Sequence, residues 1–259
     1  MDSKSYGFIG GGRITRIILK GLHNAGASFP NVIVSDIIMG YLEKLKQSYP
    51  EICISYNDDK LPARQDIVLI SLHPPLILDL LKEIKPELKA SAIIVSLAPK
   101  ITIAKMQEAL GGFDRITRVI PNAPSIVNAG YNPICFSSGI SETEKSEILG
   151  FLSPLGPCPE VKEEKLEAYS LLTAMGPTYL WFQFYELRNI LKEFGLNDAE
   201  IDESIKKMTD GALKTMFSSG MSPEEVMDLI PIKPIGDVEE KIKETYRNKL
   251  LSTFNRIKP

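Results

Sequence analysis

The sequence predicts an α/β chain, a doubly wound parallel sheet followed by an all-helical region, and three observations carry that expectation. Short runs that are apolar throughout, such as 66–72 and 92–97, recur with helical patterns between them. A glycine-rich turn, Gly10-Gly11-Gly12, joins the first of these runs to the first helical pattern. Beyond Val161 the strand signals stop and only helical periodicity remains. Runs without polar alternation suit strands covered on both faces, and their alternation with helices implies parallel pairing through right-handed crossovers.

Residues 5–10 are apolar and bounded by glycine, as a buried strand is. Residues 12–25 then place Ile14, Ile17, Ile18 and Leu22 at helical spacing. Residues 31–36 (N-V-I-V-S-D) are β-branched and form a second strand, after which 39–48 return to helix. The run 66–72 is the next strand, with a helix beginning near Pro74-Pro75, and 92–97 and 116–120 repeat the pattern. Shorter strands are expected at 132–138 and 158–162. Residues 164–174 are helical in pattern until Met175-Gly176-Pro177 breaks them. Pro177 suits the first residue of a new helix, which runs to 194 and carries Tyr179, Leu180, Phe182, Phe184, Leu187 and Leu191. Asn197-Asp198 can cap a helix over 199–217, Ser222 with Glu225 forms a capping box, and a last helix covers 237–254. The change of grammar puts a domain boundary near residue 162, dividing the chain into 1–162 and 163–259.

Composition narrows the chemistry. The 259 residues are 44% apolar and 24% charged with a net charge of -3, which fits a globular chain with a real core and argues against nucleic acid as a partner. Only two histidines, His23 and His73, and three well-separated cysteines, Cys53, Cys135 and Cys158, are present. No metal is expected from that inventory, and an odd number of scattered cysteines points to a reducing compartment rather than to disulfides. The opening Met-Asp-Ser-Lys-Ser has no apolar run behind it, so no leader peptide is expected. The longest apolar stretch is broken by His73, Pro74, Pro75 and Asp79, which rules out a smooth membrane span. A cytoplasmic protein acting on a small molecule is the expectation.

The strongest motif is Gly7-Phe8-Ile9-Gly10-Gly11-Gly12-Arg13-Ile14-Thr15, a G-x-G-x-x-T close to the G-x-G-x-x-G/A fingerprint of Rossmann dinucleotide-binding domains. Gly10 permits the tight turn, and the bare Cα of Gly12 lets a pyrophosphate approach the backbone. The following helix offers free N–H groups and a positive dipole end to that anion. Arg13 and Ile14 open that helix. Asp36 ends the second strand at the position where a carboxylate accepts the adenosine ribose hydroxyls and repels a 2′-phosphate, which tilts the cofactor toward NAD over NADP; the alternative is that it only caps the next helix. Ligands of such sheets lie beyond the carboxyl ends of the strands, which points to His73 and Pro74, to Ala98, and to Asn122 between Pro121 and Pro124. Asn122 either bonds the nicotinamide end and the substrate or shapes its turn. His73 either lines the cleft or caps a helix. Cys135 and Cys158 read as buried structural thiols.

These motifs together resemble the pyrroline-5-carboxylate reductase family and, more loosely, the deazaflavin-dependent NADP oxidoreductases. G-F-I-G-G-G-R-I at 7–14 resembles the family's G-F-I-G-x-G-N-M. Ile54-Ser55-Tyr56-Asn57 resembles the stretch whose asparagine contacts the adenosine, and 66–74 resembles D-V-V-F-L-A-V-K-P. Val95-Ser96-Leu97-Ala98 resembles I-S-I-A. Arg118-Val119-Ile120-Pro121-Asn122-Ala123-Pro124 resembles R-x-M-P-N-T-P, the most specific match, and Gly176-Pro177-Thr178-Tyr179 resembles G-P-A-Y. The resemblance implies a Rossmann domain, an all-helical domain that forms a homodimer, and hydride transfer from NAD or NADP to the C=N (or C=O) bond of a small molecule, in the family pyrroline-5-carboxylate to proline. It implies cofactor contacts at Gly10, Gly12, Arg13, Ile14, Asp36, Asn57, His73, Pro74, Ala98 and Asn122. Thr173, Tyr179 and Asn122 become the candidates for substrate bonding or protonation.

The departures sit in the second half. The family's S-G-S-G-P is Thr173-Ala174-Met175-Gly176-Pro177 here, so the second serine is gone and Thr173 stands for the first. Its S-P-G-G-T-T, which binds the substrate, is Lys233-Pro234-Ile235-Gly236-Asp237-Val238, with an acid where a carboxylate would approach. Three functions therefore stay open: a reductase of pyrroline-5-carboxylate, a reductase of another imine or keto substrate or of a deazaflavin coenzyme, and a non-catalytic nucleotide-binding homologue.

Overall fold

The structure, a computed structural model, describes residues 4–259; Met1-Asp2-Ser3, part of the opening read as carrying no leader, lie outside the described residues. Among the described residues seven strands form one sheet: β1 (Tyr6–Ile9), β2 (Val32–Asp36), β3 (Cys53–Tyr56), β4 (Ile67–Ile70), β5 (Ile93–Ser96), β6 (Ile116–Val119) and β7 (Ile134–Phe136). Their order is β3-β2-β1-β4-β5-β6-β7, parallel except for β7, which runs antiparallel to β6. The register sets Tyr6 beside both Val32 and Ile67, so β1 is central. The chain builds outward on one side through β2 and β3, then crosses to the other side at β4. The β1–β4 boundary is thus the switch point at which such sheets hold ligands.

Helices α1 (Arg13–Asn24), α2 (Met39–Ser48), α3 (Lys60–Ala63), α4 (Pro74–Ile84), α5 (Ile103–Ala109) and α6 (Glu142–Leu152) accompany the sheet. The pleat explains the continuous apolar runs. In β4, Ile67 and Leu69 join a core with Ile18 and Leu22 of α1, Leu42 of α2 and Phe151 of α6. The alternating Val68 and Ile70 join a second core with Ile77 and Leu81 of α4 and Met106 of α5. Both faces are covered, so polarity never needs to alternate.

Two expected elements differ. The strand expected at 158–162 reduces to a single bridge between Ile134 and Glu160, because Pro157 and Pro159 have no N–H to give a ladder. The helix expected at 164–174 is broken into a short turn, α7 (Leu166–Tyr169) and a π-helical stretch, Ser170–Met175. Cys53–Tyr56, which carries only the Asn57 motif in sequence, is an edge strand whose one fully buried residue is Ser55. Its four-residue length hid it.

The remaining helices are α8 (Pro177–Glu193), α9 (Asp198–Ser218), α10 (Pro223–Asp228) and α11 (Glu239–Ile257). Pro177 does open α8, and capping boxes at Asn197/Glu200 and Ser222/Glu225 open α9 and α10. The chain divides into two compact units, one running to Met175 and including Thr253–Pro259, the other Gly176–Ser252. That division falls at Met175 rather than at residue 162. Residues 163–175 stay with the sheet because Glu163 and Glu167 are tied to the buried Arg118 of β6. Among the described residues no helix is long and apolar enough to cross a membrane, and no group of three His, Cys, Asp or Glu could hold a metal.

Candidate functional site

The turn from β1 to α1 is built around glycine. Gly10 has φ +102°, and a Cβ there would lie 2.8 Å from the Ser71 carbonyl oxygen. Gly12, the residue before α1, is the opposite case: a Cβ there would meet nothing within 4 Å. The empty space in front of Gly12 faces the start of α1, where no side chain caps the helix. The first N–H groups of a helix lack partners of their own, so this end is free to receive an anion. The departure from the fingerprint at Thr15 also has a role. Its buried hydroxyl donates to the Gly10 carbonyl and fastens the glycine turn to the first turn of α1.

A cavity of about 560 Å³ opens at the switch point between β1 and β4. Gly12, Arg13 and Ile14 form one wall, His73 and Pro74 a second, and Ala98 a third. Six residues singled out in the sequence thus converge from three strand ends. His73 occupies the position before α4, but its side chain makes no capping bond and lines the cavity instead. Arg16, Tyr41, Ser71 and Pro99 also line it and were missed. Arg16 lies one turn beyond Arg13, and its guanidinium sits 5.6 Å from the centre of the Tyr41 ring. No sequence spacing could reveal that pairing of α1 with α2.

Asp36 and Asn57 stand together at the neighbouring strand ends. The Asn57 N–H donates to the Asp36 carbonyl at 3.1 Å, and Asn57 adopts a left-handed backbone (φ +52°) that asparagine tolerates. The Asp36 carboxylate accepts the Gly11 N–H at 2.7 Å and the Ile38 N–H at 2.8 Å. It is therefore fixed against the glycine turn, and each oxygen retains a lone pair for a further donor. The apolar Ile37, 73% exposed, follows it rather than a cation.

Asn122 lies at the end of β6. It is 4% exposed, its amide NH₂ donates to the Tyr131 carbonyl at 2.6 Å, and its amide oxygen accepts the Ser125 hydroxyl at 3.4 Å. Those bonds hold the turn after β6, and Asn122 is not among the residues lining the cavity. Thr173 belongs to the π-helical stretch, where its hydroxyl donates to the Tyr169 carbonyl at 3.0 Å. Tyr179, in the helical unit, packs edge-on against Tyr246 at 5.9 Å, and burial together with that neighbour holds its phenol above the ordinary pKa. Burial likewise pushes the Cys135 thiol up to about 12 and the Cys158 thiol to about 11, which leaves both inert as nucleophiles.

The cavity offers cations and a helix N-terminus to an anion and apolar walls to a flat ring, and outside its lining, against Gly11 of the glycine turn, Asp36 offers one carboxylate to a sugar. A dinucleotide fits that donor set: Gly10, Gly12, Arg13 and Ile14 suit its pyrophosphate, Asp36 and Asn57 its adenosine, and His73, Pro74 and Ala98 the far end. The bound group would supply the redox chemistry, and the residues supply binding and orientation.

Comparison with known proteins finds relatives along the whole chain. Residues 5–100 match the family described as NADP oxidoreductase, coenzyme F420-dependent. The pyrroline-5-carboxylate reductase of Methanosarcina acetivorans is 23% identical over 100% of this chain and 98% of its own length. That of Staphylococcus saprophyticus is 27% identical over 95% and 91%. Among solved structures, Plasmodium falciparum pyrroline carboxylate reductase with NADP bound superposes with a TM-score of 0.79 at 20% identity, over 99% of this chain and 96% of that one. The Streptococcus pyogenes enzyme gives 0.77 at 18% identity over 98% of each chain.

Proposed function

Starting from a divergent member of the pyrroline-5-carboxylate reductase family, we propose that this chain is an NAD(P)H-dependent reductase that transfers hydride to the C=N bond of a small imine, pyrroline-5-carboxylate first among them. One observation supports this most: the open space before Gly12 at the head of α1, framed by His73, Pro74 and Ala98 at the β1–β4 switch point. Asp36, pinned beside Gly11 and followed by exposed isoleucine, favours NAD, because a second phosphate on the ribose would meet a carboxylate. In this reading Asn122 keeps the turn beside the nicotinamide end in place, and Thr173 and Tyr179 are the candidates for bonding or protonating the imine. The products would be proline and oxidised nucleotide.

The working form would be a homodimer through the helical unit. Ile201 is the single buried hydrophobic residue among 176–252, while Leu180, Trp181, Phe182, Tyr185, Met216 and Phe217 are all more than 40% exposed. Helices with so little core of their own need a second surface to cover them. The three free cysteines suit a cytoplasmic setting.

The test is oxidation of NADH and of NADPH by pyrroline-5-carboxylate, followed by absorbance of the reduced nicotinamide. Turnover, faster with NADH, is expected; no turnover with either nucleotide removes the proline assignment. A second reading, reduction of an imine without a carboxylate, is favoured by the exposed Asp237 in the turn Gly236–Val238. Turnover restricted to uncharged imines in the same assay would select it.

A further inference from the structure

Among the described residues, three that are not glycine have a left-handed backbone: Asn57, Asn128 and Lys100. Asparagine visits that region readily, but lysine has no short polar group to stabilise it there. Lys100 (φ +78°) directly follows Ala98 and Pro99, which wall the dinucleotide cavity. Something must hold it, and the structure shows what does. The Lys100 N–H donates to Oε1 of Glu167 at 3.0 Å. The same oxygen accepts Nη2 of Arg118 at 2.6 Å, and both side chains are sealed from solvent. The other arm of Arg118 donates to Oε1 of Glu163 at 2.8 Å, and that oxygen accepts the N–H of Ile103, the first residue of α5, at 2.7 Å. One buried guanidinium therefore fixes, through two carboxylates, both ends of the segment 100–103.

A buried ion pair is a costly way to gain stability, since desolvation offsets most of the attraction. It is an effective way to impose one geometry, because a carboxylate that leaves its place strands one buried arm of the guanidinium. Left-handed residues persist when their surroundings over-determine them, and they gather at ligand clamps. Glu167 also lies in α7, which leads into the π-helical stretch bearing Thr173. The pair thus joins the cofactor wall to the segment proposed to meet the substrate.

We infer that Arg118 and Glu167 are positioning residues, which hold Lys100 in its left-handed conformation and thereby set the Leu97-Ala98-Pro99 wall without touching the cofactor. This rests on the dinucleotide reading of the cavity. The experiment uses three variants of the full chain: Glu167→Gln, Lys100→Gly and the two combined. Gln keeps the side chain's shape but loses the charge that anchors it to Arg118. Gly removes the penalty of the left-handed backbone, so the loop no longer needs holding. NADH titrated by fluorescence should bind E167Q about tenfold more weakly, equivalent to ~1.4 kcal/mol, and the double variant should return to within about twofold of the parent. A purely structural pair would lower the melting temperature of E167Q without any rescue of affinity by K100G. That result, or unchanged NADH affinity in a folded E167Q, overturns the inference. Should the parent bind neither NADH nor NADPH, the functional reading falls. Hydrogen exchange then decides the inference by itself: faster exchange of the Lys100 amide and of the Leu97 and Ala98 amides in E167Q supports it, and exchange equal to the parent's refutes it.

Discussion

The sheet unit and the helical unit spend their apolar residues in opposite ways. In the first, two cores lie on the two faces of the sheet, and side chains such as Phe8, Leu69, Ile70 and Leu81 have no exposure at all. In the second, Ile201 alone is fully covered, while Phe182 is 67% and Phe217 75% exposed. The first unit covers its apolar side chains with its own elements, whereas the second leaves most of its large apolar side chains exposed. The lesson is that the residues lining the switch-point cavity all belong to the unit that covers its own apolar side chains.

The largest expected effect breaks the second half of that comparison. Phe182→Glu combined with Phe217→Glu should convert a dimer to a monomer in sedimentation. Each large apolar side chain covered by a partner is worth ~1.5–3 kcal/mol, so the pair should weaken assembly by at least about a hundredfold. An unaltered dimer would show that another surface assembles the protein.

The next effect separates binding from stability within the sheet unit. Gly12→Ala puts a Cβ into open space, so its stability should stay within about 0.5 kcal/mol of the parent, while NADH affinity falls about tenfold or more as the methyl meets the pyrophosphate. Gly10→Ala forces φ +102° on an L residue and drives its Cβ toward the Ser71 carbonyl, so it should lower stability by about 1–2 kcal/mol or more. Thermal melting and NADH titration of both variants check this. Parallel losses in the two variants would place the pyrophosphate elsewhere.

The smallest effect concerns the thiols, all of which lie in the sheet unit. Cys53 is exposed on the edge strand, Cys135 is buried with its pKa near 12, and Cys158 is half-buried with its pKa near 11. Alkylation needs the thiolate, and a raised pKa keeps the thiol protonated until the pH climbs toward that value. Iodoacetamide near pH 8 should therefore label Cys53 quickly and the other two only after denaturation, as mass spectrometry would show. Rapid labelling of Cys135 in the native protein would mean that the β7 edge opens readily.

Much of the sheet unit was legible because its signals are local. Continuous apolar runs mark strands buried on both faces, and Gly10, Gly12 and Asp36 sit where a strand–turn–helix must place them. Other features depend on groups distant in sequence. The bridge at Glu160 replaced an expected strand because prolines flank Cys158. The unit extends to Met175 because of a guanidinium 45 positions before Glu163. Tyr41 entered the cavity wall through its contact with Arg16, and Asn122 turned its amide toward Tyr131.

By itself the sequence determined the alternation of strands and helices, the glycine turn and the identity of the residues at each strand end, since periodicity and backbone freedom act over a few residues. Tertiary structure alone decided which strand ends converge on one cavity, how Lys100 is held in its conformation, and that the helical unit leaves its aromatic face uncovered. Those outcomes depend on sheet order, buried charge pairing and burial, which are sums over distant parts of the chain.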